Sequence, residues 1–181
     1  MTTKKIFPLL LCAMSMVLLF SSCDKGKITS RKSIKITVNT EVKGGVSTNA
    51  MTRAGEVNTF SGSVNVSLSE IQELGDLDLS SLSAVTVKNV VIGTSCTEPG
   101  DFYVENVSFQ TTGASVTINR ITVGETVSNN NDINTLMQTL LTNLVNGNTF
   151  PISISGTTNV DPPGKIIVYV LDIETTCTLG L

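Results

Sequence analysis

The amino-acid sequence predicts a mostly β fold, a β-sandwich of seven strands with one amphipathic helix near the C-terminus. Three observations predict it. The chain is rich in Val, Ile and Thr, whose branched side chains favour strands. Several short segments carry an apolar residue at every second position, which is the period of a half-buried strand. Only one long segment, close to the C-terminus, has the 3.6-residue period of a helix.

The first 23 residues are typical of a bacterial secretory signal that ends in a lipidated cysteine. Two lysines precede an apolar run from residue 6 to residue 20, and two serines then lead to Cys23. We predict cleavage before Cys23 and a lipid on its sulfur. An ordinary secretory signal cut near Ser22 is the alternative. A transmembrane helix is disfavoured, because it needs roughly 20 apolar residues.

Removal of residues 1–22 leaves a chain of ordinary single-domain length. We predict a lipidated tether over residues 23–32 and one β-sandwich domain over residues 33–181. Residues 24–53 carry seven cations and two carboxylates, whereas the rest of the domain carries three cations and thirteen carboxylates. The basic part is either a contact for anionic lipid head groups or a solvated spacer. The acidic body argues against nucleic acid as a partner, because nucleic acid requires a cationic footprint.

Five strands are predicted before the helix. Each has period-two alternation or a Val-rich run, and each is bounded by residues that favour turns. They cover residues 33–42, 60–68, 84–92, 102–109 and 114–123. A short helix is predicted over residues 69–74, because Ser69 is suited to its start and Gly75 to its end.

Seven apolar residues in the next segment share one helical face. They are Ile133, Leu136, Met137, Leu140, Leu141, Leu144 and Val145. This spacing predicts an amphipathic helix, capped by Asn131 or Asp132 and ended by Asn146 and Gly147. We expect it to cover an open end or face of the sheets. A lid over a lipid or partner site is the alternative.

Two strands, over residues 150–155 and 165–178, close the chain around a turn at residues 161–164. Pro151 indicates an edge strand or the start of a strand. Both alternating rows of the last strand are apolar in its first half, so we expect that half to be covered on both faces. Seven strands in about 150 residues are typical of an immunoglobulin-like β-sandwich. The chain has no Trp and therefore lacks the Cys–Trp–Cys signature of true immunoglobulin domains.

Cys96 and Cys177 are the two cysteines that remain after the signal and the lipidation site are set aside. An even pair in an exported chain predicts a disulfide. Such a bridge closes a loop of about 80 residues and is worth about 4 kcal/mol in the chain-entropy model. Two free thiols are the alternative.

Catalytic chemistry finds little support in the residues. The chain has no His, which excludes Ser-His-Asp and Cys-His sets and leaves too few ligands for zinc. Carboxylates cluster at Asp76 and Asp78 and at Glu98, Asp101 and Glu105, but calcium needs six to eight oxygen ligands. We interpret Glu98 and Asp101, which flank Pro99-Gly100, as part of a hydrophilic turn, and Asp76 and Asp78 as part of an exposed strand face. We therefore predict no catalytic residue, no metal and no cofactor.

A lipidation signal, Leu19-Phe20-Ser21-Ser22-Cys23-Asp24, is followed by the segment SLSEIQELGDLDLSSLSAVTVKNVVI, by the helix INTLMQTLLTNLV and by the hairpin FPISISGTTNVDPPGKIIVYVLDIE. In this order the features resemble the small β-sandwich lipoproteins of Bacteroidota. The resemblance implies a lipid-anchored protein of the outer membrane that faces the periplasm or the cell exterior. It implies no active-site residues.

Arg53 lies in the sequence Thr52-Arg53-Ala54, just after the first predicted strand. This position resembles the processing site of fimbrial subunit lipoproteins from the same bacteria. The resemblance implies cleavage near Arg53, loss of the first strand, and a groove that takes a strand from a neighbouring subunit.

These observations predict a non-enzymatic, membrane-anchored envelope or cell-surface lipoprotein that binds an envelope protein or has a structural role. One alternative is a pilus subunit or tip accessory protein processed near Arg53. The other is a lipid- or glycan-binding protein. An apolar cavity beneath the helix would favour lipid, and an exposed row of Phe102 and Tyr103 would favour glycan.

Overall fold

The computed structural model of the protein describes residues 27–44, 57–146, 149–161 and 163–180. Eight strands and one α-helix lie within these ranges. They are β1 (Lys27–Lys43), β2 (Asn58–Val66), β3 (Leu82–Cys96), β4 (Tyr103–Thr111), β5 (Ala114–Thr122), β6 (Thr126–Val127), α1 (Asn131–Val145), β7 (Phe150–Thr158) and β8 (Ile166–Gly180). Two 3-10 helices, Leu68–Glu70 and Gln72–Leu74, lie where the short helix was predicted.

The strands form one antiparallel sheet in the order β5-β4-β7-β2-β1-β8-β3-β6, which closes nearly into a barrel. The mostly β fold and the predicted amphipathic helix near the C-terminus are therefore confirmed. All seven predicted strands are present, and β6 is an additional one. The immunoglobulin-like sandwich is not confirmed, because the strands hydrogen-bond into a single sheet.

The first strand begins earlier than its sequence pattern indicated. β1 starts at Lys27 and pairs with β8 in unbroken register as far as Glu41. Residues 27–32, predicted as tether, therefore belong to the sheet. The period-two signal is weak there because Ser30 and Lys32 occupy inward positions that are apolar farther along the strand.

The interior is filled by alternate residues of the strands and by one face of α1. Tyr169 lies at its centre, with ring centroids 5.9 Å from both Phe60 and Phe109. Each such side chain, once fully buried, contributes about 1.5–3 kcal/mol to stability. β8 lies between β1 and β3, but the prediction that its first half is covered on both faces was wrong for the outer face. Its inward row is buried, whereas its outward row, Ile166, Val168 and Val170, is half-buried.

The helix α1 begins where a side chain satisfies its free amides. Asn130, rather than Asn131 or Asp132, is the capping residue, and its Oδ1 accepts from the backbone N–H groups of Asp132 and Ile133 at 3.0 and 3.1 Å. The predicted stop at Gly147 falls outside the described residues.

α1 lies across the gap between β5 at one end of the strand order and β3, which is bordered on its outer side by the short β6, at the other end. At one end of this gap the strands meet, since the N–H of Gly124 donates to the carbonyl of Thr94 at 2.9 Å. Farther along β3, the Gln138 side chain accepts from the N–H of Val87 and donates to the carbonyl of Val85, both at 2.8 Å. The Gln138 amide thus takes the place of a neighbouring strand and protects the edge of β3.

β1 and β2 separate soon after they meet. Their register runs only from Glu41 to Lys43 on β1. At the crossing point, a Cβ added to Gly62 would lie 2.0 Å from the carbonyl oxygen of Asn39. A glycine is required there because any side chain would collide with the backbone of β1.

Replacement of Tyr169 by Phe is expected to stabilise the protein by about 1–2 kcal/mol, because an unsatisfied buried hydroxyl costs about 1–3 kcal/mol. Tyr169 is fully buried, and its hydroxyl has no hydrogen-bond partner among the described residues. Burial also raises the pKa of Tyr169. The folded state therefore keeps a proton that the unfolded state loses above about pH 10, so stability falls as pH rises through that value. Urea unfolding of both proteins at pH 7 and pH 10.5 checks the two effects. An unchanged or lower stability of the Phe variant at pH 7 would contradict the first effect. An equal loss of stability in both proteins at pH 10.5 would contradict the second effect.

Candidate functional site

The predicted lipidation site Cys23 and the predicted processing site Arg53 both lie outside the described residues. They remain predictions from sequence. The structure describes the strands that follow them, β1 after Cys23 and β2 after Arg53.

The predicted disulfide between Cys96 and Cys177 is wrong for this fold, in which both thiols are free. The register of β3 with β8 sets Cys96 opposite Ile167 and sets Val85 opposite Cys177. Cys96 therefore lies beside Ile167, ten residues along β8 from Cys177, which corresponds to about 33 Å. The Cα atoms of two bridged cysteines lie within about 7 Å of each other. Cys177 is buried, and burial raises the pKa of its thiol.

The carboxylate clusters do not converge. Glu98 forms an ion pair with Lys165 at 2.5 Å, and Glu105 lies 3.6 Å from Arg120. Asp76 accepts two hydrogen bonds from Lys32 at 2.5 and 2.6 Å, which lower its pKa. In the ranges that the structure describes, no three His, Cys, Asp or Glu side chains come together as metal ligands do.

Asp78 is held by its own turn. Ser80 donates to its Oδ1 through both the hydroxyl, at 2.6 Å, and the backbone N–H, at 3.0 Å. These bonds lower the pKa of Asp78. The segment is a loop, so the interpretation of Asp76 and Asp78 as an exposed strand face was wrong.

The aromatic side chains that would favour glycan binding are occupied. The Arg120 guanidinium lies 3.9 Å from the ring centroid of Tyr103, a cation–π contact. Phe102 packs close to Gly100. Both aromatic residues are half-buried, so they form no open stacking surface.

The apolar stripe of α1 packs into the core. Its six buried members, Ile133, Leu136, Met137, Leu140, Leu141 and Leu144, have at most 1% of their surface exposed. The outer face has uncharged polar side chains, some of which bond within the helix. Thr135 and Thr139 each donate to the carbonyl four residues earlier, at 2.9 and 3.0 Å. The apolar face of the helix is therefore part of the core, and the helix is a structural cover.

The side of β1 that faces away from β8 is a candidate binding surface. The backbone of Val42 bonds toward the start of β8, since its N–H donates to Lys165 at 2.9 Å and its carbonyl accepts from Gly164 at 2.7 Å. Backbone groups alternate in direction along a strand. The backbone N–H and C=O groups of even-numbered β1 residues therefore point toward β8. Those of odd-numbered residues point to the opposite side. A bond from Thr175 to the carbonyl of Lys32, at 3.0 Å, agrees with this assignment.

No described strand pairs with this opposite side before Glu41. We use the term β1 edge for the backbone N–H and C=O groups of Thr29, Arg31, Ser33, Lys35 and Thr37. The side chains of these residues are all exposed. Sequence reasoning missed the β1 edge because pairing partners are not encoded locally; the cations at Lys27, Arg31 and Lys35 were the available signal.

Comparison of the chain with protein-family models, with curated proteins and with solved structures gave no match in any of the three. No α-helix within the described ranges has the length and apolar character that a membrane crossing requires.

Proposed function

We propose that this chain is a non-enzymatic lipoprotein of a bacterial outer membrane, which faces the periplasm or the cell exterior and acts as a binding or structural module. The observation that carries the proposal is the signal in residues 1–23, two lysines, an apolar run and two serines before Cys23. The start of the sheet supports it. β1 begins at Lys27, four residues after Cys23, and four residues span at most about 14 Å. A lipid on Cys23 would keep the body at the membrane surface.

Replacement of Cys23 by Ala is expected to abolish incorporation of an alkyne-labelled fatty acid in the native host. The variant loses the only sulfur at the end of the signal that can carry the acyl chains. Cys12→Ala is the matched control, because Cys12 lies inside the apolar run and is removed with the signal. Labelling that persists in Cys23→Ala, or that is lost equally in both variants, would contradict the proposal.

A fimbrial subunit processed near Arg53 is the second candidate. The observation that favours it is the role of β1, which pairs with β8 along its length and inserts Ile34, Ile36 and Val38 into the core. Cleavage at Arg53 would free this strand and open a groove for a strand of another subunit. The intact mass of the mature protein distinguishes the candidates, since a lipidated chain begins at Cys23 and a processed one begins at Ala54.

A further inference from the structure

We infer that the β1 edge is a docking site for an extended segment of a partner protein that carries acidic side chains and adds to the sheet as a further strand. The inference rests on the binding role proposed above and is independent of the lipid anchor.

The backbone geometry indicates an extended partner. Residues 29–37 present five N–H groups and five C=O groups on one side, along about 26 Å of strand. Among the described residues, neither a strand nor a backbone hydrogen bond satisfies them. Such a row is a template for strand addition. Of the two outer edges, the one on β3 is protected by β6 and Gln138. β5 has no described strand on its outer side, but its one cation, Arg120, is engaged by Glu105 and Tyr103.

The charges indicate an acidic partner. Lys27, Arg31 and Lys35 recur at every fourth residue, about 13 Å apart, on the exposed face of β1. None of them forms an ion pair with a described carboxylate. On β8, Asp172 lies opposite Lys35 and Glu174 lies opposite Ser33. β8 thus places acidic residues beside the cationic face of β1. A strand on the other side of β1 would be attracted in the same way if it carried Glu or Asp beside the cations, because opposite charges on neighbouring strands attract.

The same cations disfavour a second copy of this chain as the occupant. If two β1 edges paired about Ser33, Arg31 of each copy would lie opposite Lys35 of the other. Like charges directly opposite each other on neighbouring strands are destabilising, and edge lysines are a common protection against self-association.

Amide hydrogen exchange of the purified mature protein in detergent tests the inference. In the free protein, the amides of Arg31, Ser33 and Lys35 should exchange quickly, and those of Ile34 and Ile36 should exchange slowly. A blocked nine-residue peptide that alternates Thr and Glu should slow the first set at least tenfold and leave the second unchanged. The matched peptide that alternates Thr and Lys should have no effect.

Charge reversal provides the matched variants. Lys35→Glu should weaken binding of the acidic peptide about tenfold, because one attraction is replaced by a repulsion. Lys88→Glu makes the same change of charge at an exposed residue of β3 and should leave the affinity unchanged. Slow exchange of Ile34 and Ile36 verifies that each variant is folded.

Three results would overturn the inference. One is the absence of protection at odd-numbered amides with the acidic peptide. Another is equal weakening by both charge reversals, which would indicate general attraction between a cationic surface and an anion. The last is protection that rises with protein concentration when no peptide is present, which would assign the β1 edge to a second copy. If the Cys23→Ala experiment contradicted the proposed lipid anchor, these three results would still be interpretable, because none of the measurements uses the lipid.

Discussion

Replacement of Leu140 by Asp is expected to unfold the domain. Leu140 is fully buried on the inward face of α1 and belongs to the core cluster. Loss of a buried Leu side chain costs about 2–5 kcal/mol, and an unpaired carboxylate at the same place adds several more. The sum is comparable with the about 5–15 kcal/mol that stabilises an ordinary domain. Circular dichroism and urea unfolding measure the loss.

Thr142→Asp is the control for this prediction. Thr142 lies on the exposed face of the same helix, and a surface substitution usually changes stability by less than about 0.5 kcal/mol. Cooperative unfolding of Leu140→Asp near the wild-type midpoint would mean that α1 does not pack into the core. In that case α1 would instead be a detachable lid.

The sequence was sufficient to place α1 because its signal is local. An apolar stripe over three turns specifies both a helix and the face that is buried, and the structure buries that face. The strands were identified for the same reason, since alternation between apolar and polar residues is local. β6 was missed because two residues, Thr126–Val127, are too few to establish a period.

The arrangement of the strands could not be predicted in the same way. Whether β1 pairs with β2 along its whole length or only near Glu41 depends on residues far apart in the chain. The predicted disulfide failed for this reason, because an even pair of cysteines says nothing about where the register of β3 and β8 places them. The open β1 edge is likewise a product of topology. Its cations were visible in the sequence, but only the strand order shows that the backbone beside them lacks a neighbour.

The divergence of β1 from β2 depends on Gly62. Gly62→Ala is therefore expected to destabilise the protein by about 3 kcal/mol or more, at the upper end of the usual cost of overpacking. The added Cβ would lie 2.0 Å from the carbonyl oxygen of Asn39 and 2.8 Å from the Cα of Thr40. Both atoms belong to the backbone of a central strand, so no side-chain rotation relieves the collision.

Gly93→Ala is the matched control, a glycine within β3 whose added Cβ would have only the carbonyl oxygen of Val170 near it, at 3.9 Å. We expect that variant to stay within about 0.5 kcal/mol of the wild type or to gain slightly from a stiffer unfolded chain. Equal stability of the two variants in urea would mean that β1 and β2 do not cross closely at Gly62. Since the crossing separates the two strands, that result would also remove the structural basis for an unpaired β1 edge.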